Sequence, residues 1–312
     1  MTVIDIDHVT KDYGHKRGIF DVSFSVNKGE VFGFLGPNGA GKTTTIRHIM
    51  GFSKPQDGTI TVDGKDAWKQ ADAIKRQVGY LPGELAFPSG MTGTQFIDFM
   101  AKERQITDMT KTNYLLDMFE LDPSGVIKRM SLGTKRKLAV VTAFMHDPEI
   151  LILDEPTSGL DPLMQERFID FVLAEKEAGK TILLSSHIFN EVDATCDRIA
   201  IIKNGELVST IVADKLRNNQ NKEFKVEFAD HETYEHFIAE TQLDISAKRP
   251  DQDQVKLRIH DDAIHQLFAE MSQYKLNFIS EIKFTLEDYF MNFYDRKLSV
   301  AAGQEELEHG ND

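Results

Sequence analysis

The sequence predicts an α/β fold, a parallel sheet covered by helices on both faces, followed by a smaller α+β module. Three observations predict it. Short β-like runs alternate with helical stretches as far as about residue 217, a glycine-rich segment sits between one such run and a helix, and beyond "KLRNNQNKEF" the pattern changes in kind. "VFGFL", "TITV", "VGYL", "EILILD", "TILLSS" and "RIAII" are the strand candidates of the first part. In the second part "EFKVEF" alternates apolar and polar residues and "HETYEHFIAE" reads as a helix. "LDISA" and "QVKLRI" flank the turn-like "KRPDQD", and a helix follows with Ala263, Ile264, Leu267, Phe268 and Met271 on one face. "KLNFISEIKF" is the last strand, and a helix in "TLEDYFMNFYD" closes the module. The order βαββαβ suggests a ferredoxin-like arrangement.

A chain of 312 residues with 41% hydrophobic content supports one large domain and a smaller one. No apolar run approaches the roughly 18 residues that span a bilayer, and "MTVIDIDHVTKDYG" lacks the basic start and apolar stretch of a signal peptide, so a cytoplasmic chain is expected. Cys196 is the only cysteine, which excludes an internal disulfide and a cysteine metal cage. The net charge of -14 argues against a nucleic-acid binder, because a duplex-binding surface needs clustered cations. "KRMSLGTKRK" is the densest basic stretch and reads equally as a solvated helix start or as something more specific. His231 and His236 are five apart, which does not stack two ligands on one helix face, so no zinc site is expected.

"GPNGAGKT", Gly36 to Thr43, fits the phosphate-loop (Walker A, P-loop) pattern in full. Gly36, Gly39 and Gly41 let the backbone turn its N–H groups toward phosphate oxygens, the helix N-terminus adds a favourable dipole, Lys42 supplies a point charge and Thr43 a hydroxyl for magnesium. In "EILILDEP" the strand delivers Asp154 to its C-terminal edge, where it can hold the metal. Alternation along that strand points Glu155 away from Asp154, toward a position where it can polarise an attacking water.

"GPNGAGKTT", "SLGTKRK", "LILDEPTSGLDP" and "ILLSSH" resemble, in that order, the phosphate loop, signature, magnesium strand with D-loop, and switch histidine of ATP-binding cassette (ABC) ATPases. The resemblance covers residues 1 to 217 and implies an ABC cassette, a mixed sheet core with a helical subdomain at about 84 to 146; residues 218 to 300 would be an accessory domain and 301 to 312 a disordered acidic tail. It implies ATP and Mg2+ as ligands, with Pro37, Asn38, Ala40 and Thr44 completing the phosphate loop and Tyr13 stacking on adenine. Glu155 and His187 would position the water, Thr43 and Asp154 would hold Mg2+, and Asp161 would be the D-loop aspartate or a helix cap.

Cassettes of this family pack head to tail and trap ATP between the phosphate loop of one chain and the signature of the other. The signature here is "MSLGT", not Leu-Ser-Gly-Gly-Gln, yet Ser131 and Gly133 fall at the two positions facing the γ-phosphate. After Pro82 the glutamine usual in the family is replaced by Gly83, and Glu84 is a candidate metal ligand in its stead. The expected function is the ATP-hydrolysing subunit of a membrane exporter of the drug and antimicrobial-peptide type, peripheral on the cytoplasmic face. Its partners would be transmembrane permease chains and a second cassette, a homodimer or a paralogous heterodimer. The alternatives are a cytoplasmic cassette acting on ribosomes or DNA, and a small-molecule kinase; the kinase leaves "SLGTKRK", "SGLD" and "SSH" without a role.

Overall fold

Alternating apolar and polar residues make two half-buried N-terminal strands, β1 (Thr2–Asp12) and β2 (Gly18–Asn27). The computed structural model describes residues 1–217, 221–282 and 285–291, in two compact units, Met1–Ala213 and Asp214–Asp312. In the first, β3 (Val31–Leu35) is buried throughout and runs through the phosphate loop into α1 (Lys42–Ile49). There follow β4 (Asp57–Val62), β5 (Lys65–Asp66), α2 (Ala71–Gln77) and β6 (Val78–Leu81). Three helices come next, α3 (Gly93–Glu103), α4 (Thr110–Met118) and α5 (Leu132–Phe144). The unit ends with β7 (Ile150–Asp154), α6 (Pro162–Glu177), β8 (Thr181–Ser186), α7 (Phe189–Thr195), β9 (Arg198–Lys203) and β10 (Glu206–Val212), and α8 (Ala213–Arg217) spans the boundary.

Six strands form the central sheet in the order β10-β9-β3-β8-β7-β6, parallel except for the β9–β10 hairpin. β3, β7 and β8 are buried at every position, as strands covered on both faces must be. A second sheet, β2-β1-β4-β5, is antiparallel. "TITV" therefore does not join the parallel sheet: in β4 it pairs antiparallel with β1, Ile4 opposite Val62 and Ile6 opposite Ile60, which buries its Ile and Val while its Thr residues face outward. The Phe24 ring of β2 stacks on Phe32 of β3 at 5.0 Å and meets Phe34 at 5.1 Å, so the two sheets share one apolar core. α3 starts at a reciprocal Thr92–Gln95 capping box, α5 at Ser131, and α6 at Asp161 with Pro162 in the first turn.

The second unit contains β11 (Asn221–Phe228), α9 (His231–Glu240), β12 (Asp244–Arg249), β13 (Gln254–His260), α10 (Ile264–Met271) and β14 (Leu276–Ile282). Its sheet has the order β12-β13-β11-β14, antiparallel throughout. Phe224, Val226, Phe228, Val255, Leu257 and Ile259 of one sheet face pack with Tyr234 and Phe237 of α9 and Leu267 and Met271 of α10. Phe268 is not part of that buried face. It is 52% exposed, because Leu267 and Met271, one turn apart, set the inward direction and the next residue is rotated about 100° from it; its ring meets only the rim of the core, edge-on to Phe224 at 6.5 Å. Residues 286–291 are helical, with the Thr285 hydroxyl accepting from Asp288 N. The rest of "TLEDYFMNFYD" and the acidic tail 301–312 lie outside the described residues. Among the described residues no helix is long and apolar enough to cross a membrane.

Candidate active site

The phosphate loop leaves the C-terminal end of β3, in the middle of the sheet, where the strand's last carbonyls give way to the N-terminus of α1. Two of its glycines have different reasons to be glycine. A Cβ on Gly36 would lie 2.4 Å from the Ile202 carbonyl oxygen, a backbone clash, whereas Gly39 faces open space but has φ +80°, in the left-handed region. Pro37 and Ala40 close the turn through an Ala40 N–H to Pro37 O bond of 3.1 Å; Asn38 and Gly39 are exposed at its tip, Gly41 precedes the buried Lys42, and Thr44 follows Thr43 in the first turn of α1.

Lys42 donates to the carbonyl oxygens of Gly36 at 2.6 Å and Pro37 at 3.2 Å and pairs with Glu155 Oε1 at 3.0 Å. The other Glu155 oxygen, Oε2, is 2.6 Å from His187 Nδ1. Thr43 donates its hydroxyl to Asp154 Oδ2 at 2.7 Å, and Ser185 of β8 donates to Asp154 Oδ1. Lys42, Thr43, Asp154, Glu155 and His187 are thus brought into one constellation. The route differs from strand alternation. β7 ends at Asp154, and Glu155 lies beyond it in a left-handed turn, φ +48°, with its N–H held by Ser185 O at 3.0 Å. Both carboxylates consequently face the phosphate loop, one on Thr43 and the other on the neighbouring Lys42. A non-glycine residue in that region costs ~1–3 kcal/mol, which the surrounding bonds must offset.

The remaining candidates are more dispersed. Tyr13 is 57% exposed on the β1–β2 turn, with Lys11 Nζ 5.7 Å from its ring centre. The end of that turn abuts the phosphate loop, since a Cβ on Gly41 would meet Ile19 at 2.9 Å and Gly18 O at 3.5 Å. Ser131 is exposed and caps α5, its Oγ accepting from Thr134 N at 3.1 Å. Gly133 leaves room for the D-loop of the same chain, because a Cβ there would lie 3.0 Å from Gly159 O. Asp161 accepts from Met164 N at 3.0 Å and caps α6. Glu84 is exposed and makes no hydrogen bond or ion pair among the described residues; it is Gly83 that lies against Asp154, its Cβ position 3.0 Å from Oδ2.

Two buried residues at the site are absent from the motif reading. Arg136, in the densest basic stretch of the sequence, is 2% exposed and donates to the carbonyls of Ser158, Pro82 and Gly83. Helical spacing holds no signal for it, because every residue from Leu138 to Phe144 of α5 is buried and no single face of the helix marks position 136. Glu191 of α7 accepts from Ser186 Oγ, next to His187. Burial pushes its carboxyl up to about 7, hydrogen bonds from Ser186 and Thr157 oppose the rise, and the Glu155 charge adds to it. The folded chain therefore binds a proton that the unfolded chain releases between about 4.5 and about 7, and stability from this group falls as pH rises through that window. Glu191→Gln should narrow the difference in melting temperature between pH 5 and pH 8 by a few degrees, at about 2–4 °C per kcal/mol for a protein of this size, as thermal melts will read.

A family model described as ABC transporter matches residues 19–158. The bacitracin transport ATP-binding protein BcrA of Bacillus licheniformis is 33% identical over 309 residues, 93% of this chain and 96% of that protein. The linearmycin resistance ATP-binding protein LnrL of Bacillus subtilis (strain 168) is 30% identical over 319 residues, 95% of this chain and 99% of that protein. Among solved structures, an ATP binding subunit of an ABC transporter is similar with a TM-score of 0.63 at 30% identity, covering 69% of this chain and 92% of that one. A likeness that runs nearly end to end, over a chain whose phosphate loop, paired carboxylates and His187 meet at one point, puts this protein in the family of ABC transporter ATP-binding subunits.

Proposed function

We propose that the chain is the ATP-hydrolysing subunit of an exporter of antimicrobial-type compounds, acting with Mg2+ on the cytoplasmic face of the membrane. The observation that carries the reading is the bridge made by Glu155, one carboxylate oxygen on Lys42 and the other on His187, beside the Thr43–Asp154 pair. The transport and resistance named for the two relatives supply the exporter class.

Thr43 and Asp154 fit Mg2+: both offer hard oxygen ligands, and Mg2+ takes one or two protein oxygens and completes its octahedron with phosphates and water. Held by Thr43 and Asp154, Mg2+ would supply positive charge to neutralise the negative charge that develops on the phosphates. Lys42 holds those phosphates, His187 keeps the Glu155 carboxylate aimed, and Glu155 accepts the proton of the attacking water. Phosphates that reach Lys42 take the place of Glu155 on it, so ATP itself frees the base for its work. Tyr13 stacks on the adenine.

Ser131 and Gly133, at the N-terminus of α5, serve the γ-phosphate of ATP held by a second chain, a cradle made of a hydroxyl, backbone N–H groups and a helix dipole. One chain carries both halves of the site, so a second copy suffices as partner; a paralogue can take its place. ATP closes the pair, hydrolysis reopens it, and separately encoded transmembrane permease chains convert the closure into transport. The cassette occupies residues 1 to 217, and the unit that follows is an accessory domain. The test is affinity purification from native membranes with and without ATP. Recovery of a transmembrane chain whose presence raises ATP turnover is the expected result; a chain that elutes alone and hydrolyses ATP at an unchanged rate in the presence of membranes overturns the exporter assignment.

A further inference from the structure

Arg136 is a buried cation whose three hydrogen-bond partners among the described residues are all neutral carbonyls. Nε donates to Ser158 O at 2.9 Å, Nη1 to Pro82 O at 2.8 Å and Nη2 to Gly83 O at 2.7 Å. A guanidinium with no carboxylate hydrogen-bonded to it is costly to bury, and the attraction of Asp154 and Glu155 offsets part of that cost. The planar fork spreads its donors widely enough to hold the adjacent Pro82 and Gly83 carbonyls with one side and the Ser158 carbonyl of a second segment with the other, which the single point of a lysine ammonium does not.

These two segments and the helix that carries Arg136 are the ones that define the hydrolytic site. Arg136 itself stands on α5, one turn after Ser131. Ser158 belongs to the turn carrying Glu155, and its N–H donates to Glu155 O at 3.2 Å. Gly83 lies against Asp154: a Cβ there would be 3.0 Å from Oδ2 and 3.2 Å from Cγ. With Thr43 on Oδ2 and Ser185 on Oδ1, the Gly83 backbone is the third wall around this carboxylate, and Arg136 fixes that wall in place. The glutamine that the family usually carries at position 83 has no room for even its Cβ without a shift of Asp154.

We propose that Arg136 is a positioning residue for ATP hydrolysis, a clamp that holds the 82–83 backbone against Asp154 and the Glu155 turn against the signature helix, in place of the glutamine missing at 83. The clamp works on the backbone and touches neither nucleotide nor metal. Through it, any movement of α5 is passed to both carboxylates of the same chain. The proposal rests on the roles given above to Asp154 and Glu155.

The experiment uses the purified full-length chain and a fluorescent ATP analogue, titrated with Mg2+ and separately in EDTA. Arg136→Lys keeps the charge and loses the fork; Gly83→Ala leaves Arg136 intact and presses a methyl group on Asp154. In each, the Mg2+ concentration that gives half of the Mg2+-dependent gain in binding should rise about tenfold, the size of effect expected when support for a metal ligand is lost, with affinity in EDTA unchanged. The double variant should be no worse than the worse single one, since both disturb one device. A Mg2+ titration of Arg136→Lys that superimposes on wild type, or effects of the two substitutions that add, overturns the proposal. Should Arg136→Lys fail to fold, Gly83→Ala decides alone, and an unshifted titration in it overturns the proposal. Glu155→Gln separates this from the reading beneath it: a Glu155→Gln chain that hydrolyses ATP normally removes the assigned base, whatever position 136 does.

Discussion

Glu155→Gln lowers ATP turnover about 10²–10⁴-fold, the range of a lost general base, while ATP binds as tightly as to wild type or more tightly. The second half of that expectation comes from the Lys42–Glu155 contact of 3.0 Å, made on a lysine only 5% exposed. Phosphates approaching Lys42 must displace the carboxylate, and a neutral amide competes less well for a buried ammonium than an anion does. The carbonyls of Gly36 and Pro37 still hold the ammonium in the variant, so it is not left unpartnered. The left-handed backbone at 155 is strained to the same degree by glutamine as by glutamate, so the turn has no new reason to rearrange. Steady-state phosphate release and equilibrium binding of a labelled ATP check the two halves separately. Turnover within tenfold of wild type removes Glu155 from the mechanism.

Substitutions at Ser131 give the second large effect and separate two roles that coincide in one hydroxyl. Ser131 Oγ accepts from Thr134 N and so caps α5, and the same residue is the proposed contact to the partner's γ-phosphate. Ser131→Arg removes the cap, at about 0.5–2 kcal/mol, and fills the cradle, so loss of activity in it has two explanations. Ser131→Asp resolves them. Aspartate caps as well as serine and suits the helix dipole, yet it sets a negative charge where a phosphate must dock. Its melting temperature and the ATP affinity of the monomer should stay at wild-type values, while hydrolysis and ATP-driven dimerisation fall at least about 100-fold, a loss of ~2.7 kcal/mol. Hydrolysis retained in Ser131→Asp and lost in Ser131→Arg makes the stretch a cap and nothing more.

The sequence by itself determined the phosphate loop, the strand that delivers Asp154, and the βαββαβ order of the second unit, because these depend on local chemistry. Glycines at fixed offsets, an apolar run and a change from period 3.6 to period 2 are properties of neighbouring residues. What the tertiary structure decided depends on contacts between segments far apart in the chain. "TITV" has the same local character as the strands of the parallel sheet, and only its pairing with β1 puts it in the other. The direction of Glu155 follows from a left-handed turn tied to Ser185, thirty residues downstream, where strand alternation points the side chain the other way. Arg136 sits between two lysines in the sequence and is indistinguishable from them in charge; the fold alone sets it against carbonyls 54, 53 and 22 residues away. Charge and propensity are carried by a residue wherever it stands, whereas burial and hydrogen-bond partners exist only once the chain has closed on itself.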